Sequence, residues 1–422
     1  MSNTPFHLFE VFGLEIERMI VDAATLDVRP IVDSVLQEAA EEDTPGSVAT
    51  GIEDIEDGSI GWSNELVGHV VELKNAQPVA SLAGVAEEFT RSTRRLAGLC
   101  SQHDARLMPT AMHPWMNPRT ETRIWPHESS VYYLEYDRLY DCHRHGWSNL
   151  QSVHLNLPFA TDEEFSRLLA AIRIVLPLIP ALSASSPIVE GRATGRLDNR
   201  LDHYRTNAAR TPSMAGEIIV EPIFEPERYH AEVLAPVAVE LREIGASAEM
   251  QGREWTNARG AIARFDRMAI EVRLIDAQEC NRADVGVAAL VSSAVRMLTD
   301  AVSSTHDAQR RVPQAPLLAQ FERCIAAGPA AALESCIAES FGDRKLATAG
   351  DVWSLIAHRH FDGPSELEAP IEVILQQGTL AERLLRALGT PVSDDAALDR
   401  SLLADTYRRI CDALIHDESF CP

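Results

Sequence analysis

Residues 12–22, FGLEIERMIVD, decide the fold, because their alternation is that of a β-strand with one buried face. Side chains of a strand alternate, so Leu14 and Ile16 point into a core while Glu15 and Glu17 share the opposite face. Two carboxylates about 6–7 Å apart on one face repel each other unless a positive group lies between them. The pattern therefore fits either a solvated strand face or a cation site, and the rest of the chain has to decide.

Three further strand-like stretches carry acidic or histidine residues among β-branched residues. They are Glu65 and Glu72 in ELVGHVVELKN, His154 in SVHLNL, and Glu271 with Arg273 in AIEVRLID. Taken alone, each has an ordinary interpretation as an outward glutamate, a hydrogen-bonded core histidine or a same-face ion pair. Taken together, four strands offer ligands at positions that can face inward, and buried carboxylates need a compensating charge. Mg²⁺ or Mn²⁺ is the natural candidate, since carboxylate-rich sites suit these ions.

Arginines cluster in two places along the chain. Four of them surround Thr194-Gly195 and two precede the strand of Glu271, namely Arg192, Arg196, Arg200, Arg205, Arg264 and Arg267. Guanidinium groups match phosphate and carboxylate oxygens with paired hydrogen bonds, so in a chain this acidic the clusters indicate an anion site. The alternative is a solvated loop with local salt bridges.

The composition excludes several classes of function. The chain has 422 residues and a formal net charge of −25, and such a surface disfavours nucleic acids and anionic membranes. No apolar run approaches the ~18–20 residues of a membrane helix. The first residues lack the basic and apolar segments of a signal peptide, so a cytoplasmic location is expected. The seven cysteines form no C-x-x-C pair, which predicts reduced thiols, and the P-loop, dinucleotide-binding and common protease motifs are missing.

The chain divides into a mixed part and a helical part. Up to residue 312, strand-like stretches are interspersed with helices such as DEEFSRLLAAIRIVLPLIPALSASS, whose acidic start suits the helix dipole. After RRVPQAP, at residues 310–316, the spacing is helical. We predict an α+β fold with mostly antiparallel strands, a core domain over residues 1–312 and a helical region over residues 313–422 packed on the core. Residues 41–62 and 190–213 are predicted to be loops.

The order of these motifs resembles the bacterial glutamate–cysteine ligase type 2 family of ATP-dependent carboxylate–amine ligases. That family has a G-x-E-x-E strand, matched by residues 13–17, and a strand ending in V-E-L-K, matched by residues 71–74. Its histidine strand is matched by residues 153–156 and its I-E-F-R strand by residues 270–273 with Asp276. The most specific matches are LPLIPALSASSP at residues 176–187 and the T-G-x-x-D-x-R stretch from Thr194 to Arg200. The resemblance covers roughly residues 10–300.

The resemblance implies a concave antiparallel sheet of the glutamine synthetase/guanido kinase type, flanked by helices, whose cavity holds ATP and two or three Mg²⁺ or Mn²⁺ ions. It implies that six side chains bind metal, namely Glu15, Glu17, Glu65, Glu72, His154 and Glu271. It also implies that Arg273 steadies the transferring phosphoryl group and that Arg200 is a second catalytic contact. The implied ATP- or substrate-binding residues are Lys74, Asn156, Thr194, Arg200, Arg205, Arg264 and Arg273.

The function implied by the resemblance is ATP-dependent amide formation through an acyl phosphate, giving a γ-glutamyl-type or peptide-like bond. The donor would be an amino acid such as glutamate or the C-terminus of a peptide, and the acceptor an amine. No nucleic acid or membrane is implied, and relatives favour a homo-oligomer. Two alternatives stay open, a metal-dependent amide hydrolase that would not need the arginines and a catalytically silent binding homologue.

Overall fold

The structure is a computed structural model that describes residues 5–43, 51–392 and 395–422. Within these ranges the strands are β1 (Gly13–Asp22), β2 (Asp54–Asp57), β3 (Ile60–Asn64), β4 (Val70–Asn75), β5 (Ala105–Met108), β6 (Ser152–Pro158), β7 (Ile188–Val189), β8 (Arg192–Thr194), β9 (Ala261–Arg264), β10 (Ala269–Asp276) and β11 (Asp395–Ala397). Eight of them form one antiparallel sheet in the order β2-β3-β4-β1-β6-β10-β9, with β5 paired to the end of β1. A second, small sheet has the order β11-β8-β7.

Helices surround the main sheet. They are α1 (Val32–Asp43), α2 (Val85–Gln102), α3 (Pro118–Glu121), α4 (Ser130–Tyr140), α5 (His145–Ser148), α6 (Asp162–Val175), α7 (Pro180–Ser183), α8 (Asn199–Asn207), α9 (Pro212–Ala215), α10 (Pro226–Tyr229), α11 (Ala235–Glu243), α12 (Ala248–Gln251), α13 (Asn281–Thr299), α14 (His306–Arg310), α15 (Gln314–Ala327), α16 (Ser335–Ser340), α17 (Ala349–Arg359), α18 (Glu368–Gln377), α19 (Leu380–Ala387) and α20 (Arg400–His416). The predicted α+β class, with a mostly antiparallel sheet flanked by helices, is confirmed.

Strand β1 buries one face, as its alternation predicts. Leu14 and Ile16 are 1% and 0% exposed and join a core that also holds side chains of α6 and α13. Helix α6 begins behind Thr161, whose hydroxyl accepts a hydrogen bond from a first-turn N–H, and its acidic first turn favours the helix dipole. With one face of β1 packed on helices, Glu15 and Glu17 lie on the face that remains available for a site.

Strand β10 contains a β-bulge that changes the direction of its last residues. Glu271 pairs with Asn156 of β6 and Asp276 pairs with Ser152, so six residues of β10 span five of β6. One extra residue interrupts the alternation of β10 and returns Asp276 to the face of Glu271. The interruption also lets two consecutive side chains, Leu274 and Ile275, be fully buried.

The helices after residue 314 pack on the core. Leu317 and Trp353 belong to the same hydrophobic cluster as Ile16, and the indole Nε1 of Trp353 donates to the carbonyl of Leu178 at 2.9 Å. The short strand β11 interrupts this helical region and pairs with β8. The division into domains at residue 312 stays a prediction. No helix within the described ranges combines the length and apolar character that a membrane crossing needs, and all seven cysteines are free.

A buried ion pair ties α19 to the end of β10. Arg383 donates to Glu279 Oε1 at 2.5 Å and to the carbonyl of Phe420 at 2.7 Å, and both charged side chains are 0% exposed. Removing one partner of a buried pair leaves an uncompensated charge, which costs about 3–5 kcal/mol. We therefore expect Arg383→Met to lower the free energy of unfolding by about that amount. Urea unfolding measures it, and the double variant Arg383→Met/Glu279→Gln should recover part of the loss; an unchanged single variant would contradict the expectation.

Two buried histidines make the stability depend on pH. Burial lowers the pKa of His69 to about 3 and that of His113 to about 4. The unfolded chain takes up these protons below about pH 6.5, whereas the folded protein does not, so the folded state loses stability as pH falls through that value. His69→Gln keeps a donor for the Ser148 carbonyl, which His69 Nε2 contacts at 3.1 Å. Its unfolding free energy should fall less steeply between pH 6.5 and 5, by up to about 1.4 kcal/mol per pH unit. Parallel slopes in urea unfolding would contradict this.

Candidate functional site

The register of the central strands brings the acidic residues side by side. β1 lies between β4 and β6. Glu17 is directly opposite Glu72 of β4, and Glu15 is directly opposite His154 of β6. Directly opposed side chains point to the same face of a sheet, and opposed like charges are destabilising on their own. The sheet therefore concentrates negative charge on one face, opposite its hydrophobic core.

Three of these side chains could hold one metal ion. One ligand atom from each of Glu15, Glu72 and His154 lies within 4.8 Å of the others, and we call this group the carboxylate–histidine cluster. His154 Nδ1 lies 3.2 Å from Glu15 Oε2, and Ser63 Oγ donates to Glu72 Oε1 at 3.0 Å. Two carboxylates and one imidazole, with room for water or phosphate oxygens, fit Mg²⁺ or Mn²⁺.

Burial and mutual repulsion set the pKa values in the cluster. Burial and the charge of Glu15 raise the pKa of Glu72 to about 7. Burial opposes ionisation of Glu15 as well, but the hydrogen bond and charge of His154 lower the pKa of Glu15 to about 2. Burial, with the charges of Glu72 and Glu17, raises the pKa of Glu65 well above its ordinary value. Such perturbed carboxylates in one concave region mark a functional site.

The other three predicted ligands surround the cluster. Ser152 holds Glu17 Oε2 through its backbone N–H at 2.6 Å and its hydroxyl at 3.1 Å. Glu65 follows β3 and lines the cavity beside Glu17. Glu271 Oε1 lies 3.7 Å from His154 Nδ1, and two arginines hold its carboxylate. The structure thus places all six predicted ligands on or beside one face of the sheet.

Two cavities meet at the cluster. The smaller, of about 260 Å³, is called the aromatic cavity; its charged lining residues are Glu17, Glu65, His154, Arg200 and Arg273. Its aromatic lining residues are Tyr133, Tyr136, Trp147, Tyr204 and Trp255. The larger cavity, of about 680 Å³, has a polar lining of Glu15, Lys74, Asn75, Asn156, Asp266 and Arg267. The cluster therefore faces both cavities, through Glu15 on one side and His154 on the other.

The predicted catalytic arginines both line the aromatic cavity. Arg273 Nε lies 3.1 Å from Glu271 Oε1. Arg200 donates through Nε to Asp276 at 2.5 Å and through Nη1 to the carbonyl of Arg273 at 3.3 Å. The Nη2 of Arg200 is buried and has no hydrogen-bond partner among the described residues. Because Asp276 fixes the guanidinium, this free donor is held in place for an anionic ligand.

Three more predicted contacts lie near the cluster. Lys74 Nζ is 3.2 Å from both Glu72 and Asp54, at the wall of the larger cavity. Asn156 donates to Glu15 Oε1 at 3.2 Å and lines the same cavity. Arg264 Nη1 lies 3.2 Å from Glu271 Oε2, so it pairs with the other oxygen of the carboxylate that Arg273 contacts.

The prediction that residues 190–213 form a loop is wrong, because these residues contain β8, α8 and α9. Thr194 donates to Asn199 Oδ1 at 3.0 Å, and Arg205 pairs with Asp202 and Glu322. Neither lines either cavity, so we leave both out of the proposed site. The remaining loop arginines, Arg192 and Arg196, pair with Asp395 and Asp202. Arg192, Arg196 and Arg205 are thus paired with carboxylates, and of the four arginines around Thr194-Gly195 Arg200 alone lines the aromatic cavity.

Sequence reasoning missed the aromatic wall and Ser152. The rings come from four separate segments, which are α4, α5, α8 and the segment before β9. No spacing within one element brings them together. Ser152 gave a weak signal, since it precedes His154 by two residues and so shares its face.

The match to a known family covers nearly the whole chain. The sequence model of the glutamate-cysteine ligase family 2 matches residues 11–403. An uncharacterized protein of Archaeoglobus fulgidus is 35% identical over 57% of this chain and 64% of its own length. A putative glutamate–cysteine ligase 2-1 of Streptomyces avermitilis is 26% identical over 54% and 55%. A putative glutamate–cysteine ligase 2 of Gloeobacter violaceus is 25% identical over 66% of each chain. Each alignment spans less than two thirds of the relative's length.

Solved structures share the fold. A glutamate–cysteine ligase from Francisella tularensis, solved in complex with AMP, has a TM-score of 0.54 at 12% identity and covers 97% of this chain and 89% of that one. A bifunctional glutathione synthetase from Pasteurella multocida has a TM-score of 0.55 at 13% identity and covers 96% and 53%. At these identities the likeness shows the fold alone. Because the family model spans residues 11–403, this chain belongs to the glutamate-cysteine ligase family 2.

Proposed function

We propose that the protein is an ATP-dependent carboxylate–amine ligase that works through an acyl phosphate. The observation that carries the proposal is the carboxylate–histidine cluster between two cavities, with Arg273 beside it. Phosphoryl transfer to a carboxylate needs a triphosphate on one side of a charge-neutralising centre and the acceptor on the other. Family membership supports the same reaction class.

ATP fits the larger cavity. Its volume of about 680 Å³ lies in the range of small-molecule and cofactor sites. Lys74 and Arg267 supply positive charge near Glu15, where the phosphates would reach the metal ligands. Apolar side chains that also line this cavity, Val11 and Met268 among them, suit a nucleobase. The AMP complex of the Francisella tularensis relative agrees with nucleotide use.

The acid fits the aromatic cavity, with its carboxylate at the end lined by Arg200 and Arg273. An oxygen of that carboxylate attacks the γ-phosphorus of ATP, and the bond from phosphorus to the β-phosphate oxygen breaks, giving acyl phosphate and ADP. The neutral amine then attacks the acyl carbon, an N–C bond forms, and phosphate leaves with the electron pair of the C–O bond and takes up the proton that the nitrogen loses. Mg²⁺ or Mn²⁺ held by Glu15, Glu72 and His154 would neutralise charge on the triphosphate.

The residues of this chain have separable roles in that reaction. Arg273 lies where it can stabilise charge on the transferring phosphoryl group. Arg200 offers its free Nη2 to the acid. The aromatic wall excludes water from the acyl phosphate, which would otherwise hydrolyse.

Hydroxylamine trapping tests the proposal. The purified protein is incubated with ATP, Mg²⁺ or Mn²⁺, hydroxylamine and each of a panel of carboxylic acids. We expect hydroxamate and ADP to form together with one class of acid and neither to form without ATP. Hydrolysis of an amide without ATP would favour the metal-dependent hydrolase instead. ATP binding without hydroxamate from any acid would contradict the ligase and favour a silent homologue.

A further inference from the structure

The charged groups of the aromatic cavity all lie at one end. Glu17 and His154 both contact Ser152, at 2.6 Å and 2.9 Å. Arg200 donates to Asp276, which pairs with Ser152 across the sheet. Arg273 contacts Glu271 Oε1 at 3.1 Å, and this oxygen lies 3.7 Å from His154 Nδ1. Glu65, the remaining charged residue of the cavity lining, is close enough to Glu17 for the two charges to interact. A ligand carboxylate can therefore be neutralised only at this end, next to the cluster.

The rest of the cavity is uncharged and rich in rings. Among the described residues, its lining away from the cluster carries no charged side chain. Tyr136 lies 5.1 Å from Trp147 and 6.0 Å from Trp255 between ring centroids, and Leu66 and Met214 complete an apolar wall. Such distances are those of interacting aromatic pairs, so a further ring placed among them gains similar contacts.

Two polar atoms interrupt this wall. Within the part of the chain that the structure describes, the Tyr204 hydroxyl and Asn207 Oδ1 are buried without hydrogen-bond partners. Both residues line the aromatic cavity. Tyr204 can donate or accept one hydrogen bond and Asn207 Oδ1 can accept one, but neither carries charge. They suit a neutral polar group on the ligand, such as a hydroxyl or an amide N–H.

A dicarboxylic acid fits this arrangement poorly. With its reacting carboxylate at Arg200 and Arg273, the second carboxylate of glutamate would lie against the rings. A buried carboxylate with no cation beside it is strongly unfavourable. The cavity of about 260 Å³ also has room for one ring rather than for a peptide segment.

We propose that the aromatic cavity selects a monocarboxylic acid with an aromatic body over a dicarboxylic acid such as glutamate. The proposal rests on the proposed function, since it names the class of the acid donor. The carboxylate lies at Arg200 and Arg273, the ring lies among Tyr136, Trp147 and Trp255, and the amine acceptor stays unassigned.

The hydroxamate assay decides among matched acids. The set consists of phenylalanine, 3-phenylpropanoate, 3-cyclohexylpropanoate, glutamate and glutarate. We expect kcat/KM to be at least about 10-fold higher for 3-phenylpropanoate than for glutarate, and higher than for its cyclohexyl analogue. Glutamate or glutarate as the preferred acid would overturn this inference and leave the ligase reaction standing.

Variants identify the cavity as the origin of the preference. Trp255→Leu should lower kcat/KM for the aromatic acid at least about 10-fold while the KM for ATP stays within about twofold. Met214→Arg places a cation at the uncharged end and should raise kcat/KM for glutarate. Trp115→Phe is the matched control, because Trp115 packs on Tyr407 and Arg400 outside both cavities. Equal losses in the Trp255 and Trp115 variants would overturn the assignment.

Binding measurements test the preference for an aromatic acid independently of whether the ligase reaction occurs. Quenching of tryptophan fluorescence by each acid is followed in the presence of Mg²⁺ and a non-hydrolysable ATP analogue. Tighter binding of 3-phenylpropanoate than of glutarate, lost in Trp255→Leu, supports the aromatic donor even if no hydroxamate forms with any acid. Equal or weaker binding of 3-phenylpropanoate would overturn it.

Discussion

Glu72→Gln should abolish metal-dependent turnover while leaving the metal-free protein at least as stable as the wild type. Glu72 lies directly opposite Glu17 and shares the carboxylate–histidine cluster with Glu15. Without metal these like charges repel each other, so removing one relieves strain on the sheet. With metal the same change removes a ligand, and we expect ATP-dependent phosphate release to fall at least about 100-fold.

Three measurements make this expectation specific. Mn²⁺ binding followed by electron paramagnetic resonance should weaken together with phosphate release, and the thermal midpoint without metal should stay equal or rise. Glu56→Gln is the matched control, since Glu56 is exposed on the edge strand β2 of the same sheet. A Glu72→Gln protein with wild-type Mn²⁺ affinity would show that the cluster does not hold the metal.

Arg273→Ala should lower kcat by about 10³-fold with little change in the KM for ATP. An arginine beside a transferring phosphoryl group stabilises charge that exists only in the transition state, so its loss appears in kcat rather than in substrate binding. The protein should still fold, because Glu271 keeps its second partner, Arg264, at 3.2 Å. Steady-state kinetics with the preferred acid measure both constants.

Two further variants test whether the loss of kcat in Arg273→Ala is specific to the Arg273 guanidinium. Arg273→Lys keeps the charge but loses the planar fork, so its kcat should lie between those of the wild type and Arg273→Ala. Arg192→Ala is the control, because Arg192 is paired with Asp395 away from both cavities. Equal kcat in Arg273→Ala and Arg192→Ala would remove Arg273 from the phosphoryl-transfer step.

Sequence patterns within single elements predicted which side chains a strand buries and where a helix begins. The alternation in residues 13–18 fixes which side chains of the first half of β1 are buried, and the acidic start of α6 marks where that helix begins. Each strand places its own ligand, such as Glu72 or His154, on the face opposite its buried neighbours. The face of each ligand therefore follows from the sequence, while the pairing of the strands does not.

The aromatic wall and the arginine region depended on contacts that no local pattern encodes. Trp147 and Trp255 are separated by more than a hundred positions and meet only after the helices pack. Residues 41–62 were predicted to be a loop, yet Asp54–Asp57 and Ile60–Asn64 form a hairpin at the sheet edge; residues 44–50 lie outside the described ranges. Three of the four residues of β2 are acidic, and all five residues of β3 are buried, so neither strand shows the hydrophobic alternation that is the main signal of a strand.

The bulge in β10 makes the site sensitive to chain length as well as to chemistry. Glu271 and Asp276 share a face because six residues of β10 oppose five of β6. Inserting one further residue between them would put Asp276 out of phase and release Arg200 from its 2.5 Å partner, whereas deleting one would give a regular strand with both carboxylates still on one face. A single-codon insertion there should therefore be tolerated far less well than a substitution at Leu274 or Ile275 that keeps an apolar side chain.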